Sequence, residues 1–202
     1  MKTQLILKLA ALSASLAAPA SAQGPNWDLI EIGYAQLKFD GIDGLKPSGF
    51  MLSGSKLLND NTFITGSYSQ LSDDLGGFSQ NIKFDIDMAS VGLGYRYAYN
   101  NSSDLYATLS YEYIKASAGT DGFSQDEDDN GYGLTLGIRS MVTDVFEVDA
   151  AIGYVSGGGI DDGSRSLAIG GNYYFTDKMA VGLHYELLED ADTAGINLRY
   201  TF

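Results

Sequence analysis

The last ten residues of the chain, 193–202, alternate strictly between two kinds of side chain. The apolar ones occupy every second position: Ala194, Ile196, Leu198, Tyr200 and Phe202. Because successive side chains of a β-strand point to opposite faces, this period predicts a strand with one apolar and one polar face. The chain ends on an aromatic residue of the apolar face. A strand of this kind is stable only in a fold that covers its apolar face along the whole length.

The same alternation recurs along the chain and predicts an all-β fold of about ten strands. The segments are 30–35, 50–58, 63–71, 89–97, 105–113, 132–139, 146–154, 167–175, 179–186 and 194–202. The second and third are weakly patterned, so eight strands is the alternative. A strand that crosses a bilayer at a tilt needs about 9–11 residues, which fits this segment length.

The first 22 residues have the features of a secretory signal peptide. Lys2 and Lys8 precede an apolar stretch, 9–18, and Ala20, Ser21 and Ala22 form a small-x-small cleavage site. A membrane anchor is excluded, because Lys8 interrupts the apolar run and its end falls well short of the roughly 20 residues that a spanning helix needs. We therefore expect an exported chain, 23–202, that forms one domain.

Charge and cysteine content exclude two classes of function for this exported chain. Without residues 1–22 it has 10 basic and 26 acidic residues and a net charge of −16. Such a chain does not bind nucleic acid through its phosphates. The chain also has no cysteine, so disulfides and thiolate metal sites are not available.

The connectors between the segments alternate in length. Those after the even segments are short, at 59–61, 100–104, 143–144 and 176–178. Those after odd segments are longer and acidic, as at 72–87, 117–130 and 156–164. Short turns on one side and long loops on the other are typical of a transmembrane antiparallel up-and-down β-barrel in the outer membrane of a Gram-negative bacterium. An even strand count places both termini in the periplasm.

A soluble β-sandwich also alternates, but aromatic residues favour the membrane barrel. Tyrosines end several apolar faces, as an aromatic girdle at the lipid interface would: Tyr34, Tyr97, Tyr113, Tyr154 and Tyr185. The opposite faces carry small or charged residues, as a barrel lumen does.

The chain resembles the small outer-membrane β-barrel families, among them the opacity proteins and the membrane domain of outer membrane protein A. The resemblance rests on the signal peptide, on strands such as the one with Gly92, Gly94 and Tyr95, and on residues 198–202. It implies that Leu198, Tyr200 and Phe202 form the signal read by the barrel assembly machinery. It also implies contact with outer-membrane lipid and lipopolysaccharide, and it does not specify an activity.

If the apolar faces contact lipid, the charged residues of the opposite faces lie in the lumen. They are Glu31, Arg96, Glu112, Arg139, Glu147, Asp149, His184, Glu186 and Arg199. Strand direction places the three arginines and Glu31, Glu147 and Asp149 in the periplasmic half. We expect Arg139 to face Glu147 across one hairpin and Arg199 to meet Glu31 where the barrel closes.

Two functions are compatible with these lumenal charges. One is a salt-bridged filling of a narrow barrel, since small barrels are filled by side chains and buried charges must be paired. The other is a constriction in a narrow, cation-preferring channel. We favour the first, with a structural or surface-interacting role. The long acidic loops bear no motif that identifies an extracellular partner.

An enzyme is not expected. His184, the single histidine, lies two residues before Glu186, but no serine or Asp-x-His pair accompanies it on that strand. No cofactor is expected either, with one weak exception. Residues 126–131 match the first half of a calcium loop, with Asp126, Asp128 and Asn130 as ligands and Gly131 at the sixth position, whereas the twelfth position is Gly137.

Overall fold

The structure, a computed structural model, describes residues 24–41, 44–76, 81–120, 123–157 and 160–202. The predicted signal peptide, 1–22, lies outside these residues. The prediction of ten strands is confirmed. They are β1 Leu29–Phe39, β2 Ser48–Leu57, β3 Thr62–Gly76, β4 Asn81–Asn100, β5 Ser103–Thr120, β6 Phe123–Thr143, β7 Phe146–Gly157, β8 Ile160–Tyr174, β9 Met179–Leu188 and β10 Ala191–Thr201. In these described ranges no helix has the length and apolar character needed to cross a membrane.

The strands form a closed antiparallel barrel. Each pairs with its neighbours in the sequence, and β1 also pairs with β10. The register places Glu31 of β1 opposite Arg199 of β10 on one side and opposite Ser53 of β2 on the other. Closure gives the membrane-crossing part of each strand a partner on both sides, which a strand in lipid requires.

The outer face of the barrel is apolar. Leu109 and Leu183 are 63% and 67% exposed, and the five tyrosines predicted to form a girdle are exposed as well. Apolar surface of this extent is unstable in water and is satisfied by lipid. The alternation read from the sequence therefore separates the lipid face from the lumen.

The expected long loops at 72–87, 117–130 and 156–164 are largely strand instead. β4, β5 and β6 contain 20, 18 and 21 residues, roughly twice the 9–11 that span a bilayer. Acidic residues are depleted in strands, and for this reason the acidic stretches favoured a prediction of loops. Here cross-strand contacts such as the ion pair between Lys115 and Asp126, 3.2 Å, join the extended hairpins. The wall thus continues beyond the membrane on the side away from the termini.

The lumen is not polar throughout. A buried apolar group, which we call the upper cluster, lies toward the extracellular side and consists of Ala35, Leu37, Leu71, Ile86 and Ala191. Phe39 and Phe84 both pack against this cluster. Their two rings contact each other edge to face, with centroids 6.3 Å apart. The sequence predicted only small or charged residues on the inner face, so this cluster is a correction.

Candidate functional site

The first and last strands are joined in the lumen by an ion pair. Nε of Arg199 lies 2.8 Å from Oε1 of Glu31. The same carboxylate accepts hydrogen bonds from Nδ2 of Asn197 at 2.8 Å and from Oγ of Ser53 at 3.0 Å. The predicted contact between Glu31 and Arg199 is therefore present, and three donors satisfy the carboxylate.

A second carboxylate, that of Glu147, lies between two arginines and is fully buried. It accepts hydrogen bonds from Nε of Arg139 at 2.9 Å, from Nη1 of Arg199 at 2.8 Å and from the hydroxyl of Tyr174 at 3.1 Å. Buried charges are stable only when paired and hydrogen-bonded. We refer to Glu31, Arg139, Glu147 and Arg199 as the lumen network.

The hairpin that presents Arg139 and Glu147 differs in one detail from the prediction. The residue directly opposite Arg139 is Asp149, because the register shifts between Met141 and Thr143. Arg139 reaches Glu147 diagonally. Asp149 is therefore the Cα partner of Arg139 across the hairpin, but the ion pair of Arg139 is with Glu147.

Residues 24–28, which precede β1, cover the periplasmic side of the lumen network. Trp27 is 3% exposed and donates from Nε1 to Oδ2 of Asp104 at 2.7 Å. Its ring lies 4.5 Å from the guanidinium carbon of Arg139 and 4.3 Å from the ring of Phe63. The backbone carbonyl of Asn26 accepts from Nη2 of Arg139 at 3.0 Å. We call these residues the N-terminal plug.

The residue pattern did not predict the N-terminal plug or the partner of Arg96. Arg96 binds Asp104, with Nη1 2.9 Å from Oδ2, whereas the sequence placed Asp104 in a connector. The available signal was Trp27, the single tryptophan, which is the fifth residue after the predicted cleavage site. Since Asp104 also binds Trp27, polar contacts continue from Arg96 to the lumen network.

The other predicted lumenal residues lie apart from the lumen network. Glu112 accepts from Oγ of Ser110 at 2.5 Å. His184 lies against Gly195, where its ring occupies the space of a side chain. Among the described residues, neither His184 nor Glu186 has a hydrogen-bond partner for its side chain. The structure therefore does not bring the single histidine and a carboxylate into hydrogen-bond contact.

A cavity of about 280 Å³, which we call the chamber, lies beside the lumen network. Glu31, Arg139 and Arg199 line it, as does Trp27 of the N-terminal plug. Met51 lines it as well and packs against the upper cluster. Asp149 and His184 also face this cavity.

The predicted calcium ligands lie on β6 and do not form a loop. Asp126, Asp128 and Asn130 share one face of the strand, where alternate residues are roughly 6.6–6.8 Å apart along the chain. A calcium loop must instead wrap its ligands around one ion. Asp126 is paired with Lys115, and the described ranges contain no cluster of three or more histidine, aspartate or glutamate side chains suited to a metal ion. The loop geometry behind the calcium prediction is therefore absent from this stretch.

The carboxyl-terminal residues predicted to guide assembly lie on the outer face. Leu198, Tyr200 and Phe202 are 37%, 43% and 50% exposed. The backbone N–H of Phe202 donates to the carbonyl of Asp28 at 3.0 Å. Recognition by the assembly machinery stays a prediction.

Comparison with known proteins identifies the class of barrel. A family model described as the outer membrane protein beta-barrel domain matches residues 6–165. No curated protein sequence matches the chain.

Solved structures of similar fold include several membrane barrels. The NanC porin has a TM-score of 0.55 at 7% identity, over 86% of this chain and 100% of that one. The translocator domain of the autotransporter NalP from Neisseria meningitidis has a TM-score of 0.50 at 14% identity, over 100% and 96%. Ail of Yersinia pestis has a TM-score of 0.44 at 20% identity, over 87% and 97%. At such identities the likenesses to the NanC porin and to the NalP translocator domain show the fold alone.

Proposed function

The chain belongs to the family of outer membrane protein β-barrel domains, and from this premise we propose that it is a barrel closed to solute flow with a structural or surface-interacting role. The observation that supports the closed state is the lumen network. Its ion pairs join β10 to β1 and β7 to both β6 and β10, and the N-terminal plug covers it from below.

The most deeply buried polar atoms of this closed barrel are satisfied by other groups of the protein. In the described part of the chain, every fully buried side-chain nitrogen or oxygen has a hydrogen-bond partner. A network satisfied in this way is rigid, because each arginine is held by more than one acceptor. The upper cluster adds an apolar constriction, which water and ions cross poorly.

The surface-interacting part of the proposal rests on the extended hairpins. β4, β5 and β6 project beyond the membrane and present acidic side chains such as Asp85, Asp87 and Asp126 outward. Divalent ions would bridge these carboxylates to lipopolysaccharide phosphates. This surface is where an extracellular partner would bind.

Single-channel conductance of the refolded chain, 23–202, in a planar bilayer tests closure. We expect verified insertion without steady openings. Arg139→Ala should then produce openings, because it removes one of the two arginine partners of Glu147 together with the bond to the carbonyl of Asn26 in the N-terminal plug. Arg165→Ala is the matched control, since Arg165 lies on the outer face.

A narrow, cation-preferring channel is the second candidate, and the carboxylates of Glu31 and Asp149 in the chamber favour it. Steady wild-type openings with a reversal potential near that of the cation would support this candidate. The same result would overturn the closed barrel.

A further inference from the structure

The charges around the chamber do not balance. Three carboxylates, of Glu31, Glu147 and Asp149, meet two guanidinium groups. With His184 neutral this leaves one net negative charge in this group of side chains. An uncompensated charge in a low-dielectric interior is costly, so a proton or a cation must accompany it.

The unpaired charge is on Asp149. Arg139 and Arg199 both bind Glu147, and Arg199 also binds Glu31. Asp149 has neither a hydrogen bond nor an ion pair among the described residues. Its carboxylate lies over Gly170, where a Cβ would be 2.6 Å from Oδ1, and it faces the chamber.

The remaining wall of the chamber supplies neutral oxygen atoms. Tyr106, Thr108 and Asn172 are among the lining residues and carry hydroxyl or amide oxygens, of which Oδ1 of Asn172 also accepts from Nδ2 of Asn197 at 3.2 Å. A single carboxylate with neutral oxygen ligands suits a hard cation of one charge. Calcium binds where several carboxylates converge, and a divalent ion here would reverse the imbalance.

We propose that the chamber binds one monovalent cation, Na⁺ or K⁺, with the carboxylate of Asp149 as its charged ligand. The cation neutralises the charge that the two arginines leave unpaired. It enters during folding, before the lumen network and the upper cluster enclose the chamber. The inference rests on the closed barrel proposed above.

The test is the melting temperature of the chain refolded at about pH 8, where an unperturbed imidazole is neutral. NaCl and KCl are compared with N-methylglucamine chloride at the same ionic strength. Since a ligand stabilises the state that binds it, melting should be roughly 3–8 °C higher in one of the metal salts. Asp149→Asn should abolish this difference. Glu186→Gln, which removes a lumenal carboxylate outside the chamber, should preserve it.

Crystals of the wild type grown with Rb⁺ give a second, mutation-free measurement. An anomalous peak beside the Asp149 carboxylate is expected. Equal melting in all three salts, or a salt difference that persists in Asp149→Asn, would overturn the site. Where KCl is the stabilising salt, the absence of a peak would overturn it too, because Rb⁺ replaces K⁺. An infrared carboxylic-acid band that Asp149→Asn removes would show a proton in place of the cation and would also overturn it.

The two proposals fail separately. Conductance of the wild type reports closure, whereas the salt dependence of melting reports the cation. An open channel with a salt-dependent melting temperature would remove the closed barrel and leave the site. A bilayer without openings, together with equal melting temperatures in all three salts, would remove the site and leave the closed barrel.

Discussion

Nε of Arg199 lies 2.8 Å from Oε1 of Glu31, and the two residues are Cα partners in the register of β10 and β1. This pair joins residues 168 positions apart in the sequence. The strands that close the barrel are therefore held by a side-chain ion pair as well as by backbone hydrogen bonds. A slip of one residue in either strand would turn the charged side chain of that strand to the lipid face.

Removal of Arg199 should destabilise the barrel strongly. Arg199→Met leaves Glu31 and Glu147 each without one charged partner, and breaking a buried pair costs about 3–5 kcal/mol. Lys56→Met is the control, because Lys56 binds Asp28 with a side chain that is 57% exposed, and such pairs contribute about 0–1 kcal/mol. Urea unfolding in detergent micelles measures both losses. Equal losses would contradict the role of the lumen network.

The N-terminal plug should contribute to stability through both the ring and the N–H of Trp27. Trp27→Phe keeps the ring contact with Phe63 and removes the donor to Asp104, so we expect a loss of about 1–3 kcal/mol. Trp27→Ala also removes the ring and should cost about 3–5 kcal/mol. Thermal melting of the three proteins gives the order. An alanine variant as stable as the wild type would show that the N-terminal plug does not stabilise the barrel.

Gly94 should not tolerate a side chain. A Cβ at this position would collide with the ring of Phe63, which packs on Trp27. Gly94→Ala should cost about 1–3 kcal/mol by overpacking. At Gly66 the nearest atom to a Cβ is the carbonyl oxygen of Ser90 at 3.4 Å, so Gly66→Ala should change stability little. The comparison of their unfolding midpoints is the measurement, and similar losses would contradict the close approach at Gly94.

The pH dependence of stability should include a contribution from Asp28 at the periplasmic end. The backbone N–H of Leu57 donates to its carboxylate at 2.7 Å and lowers the pKa of Asp28 below the ordinary 3.8, with a smaller contribution from Lys56. A carboxylate whose pKa is lower in the folded state stabilises the fold at pH values above its unfolded-state pKa. This stabilisation is lost as the pH falls through the folded-state pKa.

Melting of the wild type and Asp28→Asn at several pH values tests this contribution. The wild type should melt higher at about pH 7, and the difference should disappear at about pH 2. A difference that stays constant with pH would assign the effect of the substitution to something other than the charge.

The lumen illustrates how far the residue pattern alone leads. The contact between Glu31 and Arg199 follows from strand order, since the first and last strands of a barrel must pair. The contact between Arg96 and Asp104 does not follow, because the sequence placed the turn over 100–104 and β5 begins at Ser103. The prediction of a loop at 117–130 was wrong. Acidic residues are poor local strand formers, but pairing between β5 and β6 overrides that preference.

The sequence by itself determined the ten alternating strands, the apolar outer face, the expected address in the outer membrane and the set of charged residues that face inward. These properties are local, because a period of two assigns each side chain to one face of its strand. Only the tertiary structure decided which inward side chains meet. The seat of Trp27, the upper cluster and the unpaired Asp149 depend on strand stagger, on the register shift between Met141 and Thr143 and on closure. Stagger and closure are conditions on the whole ring, so no single segment contains them.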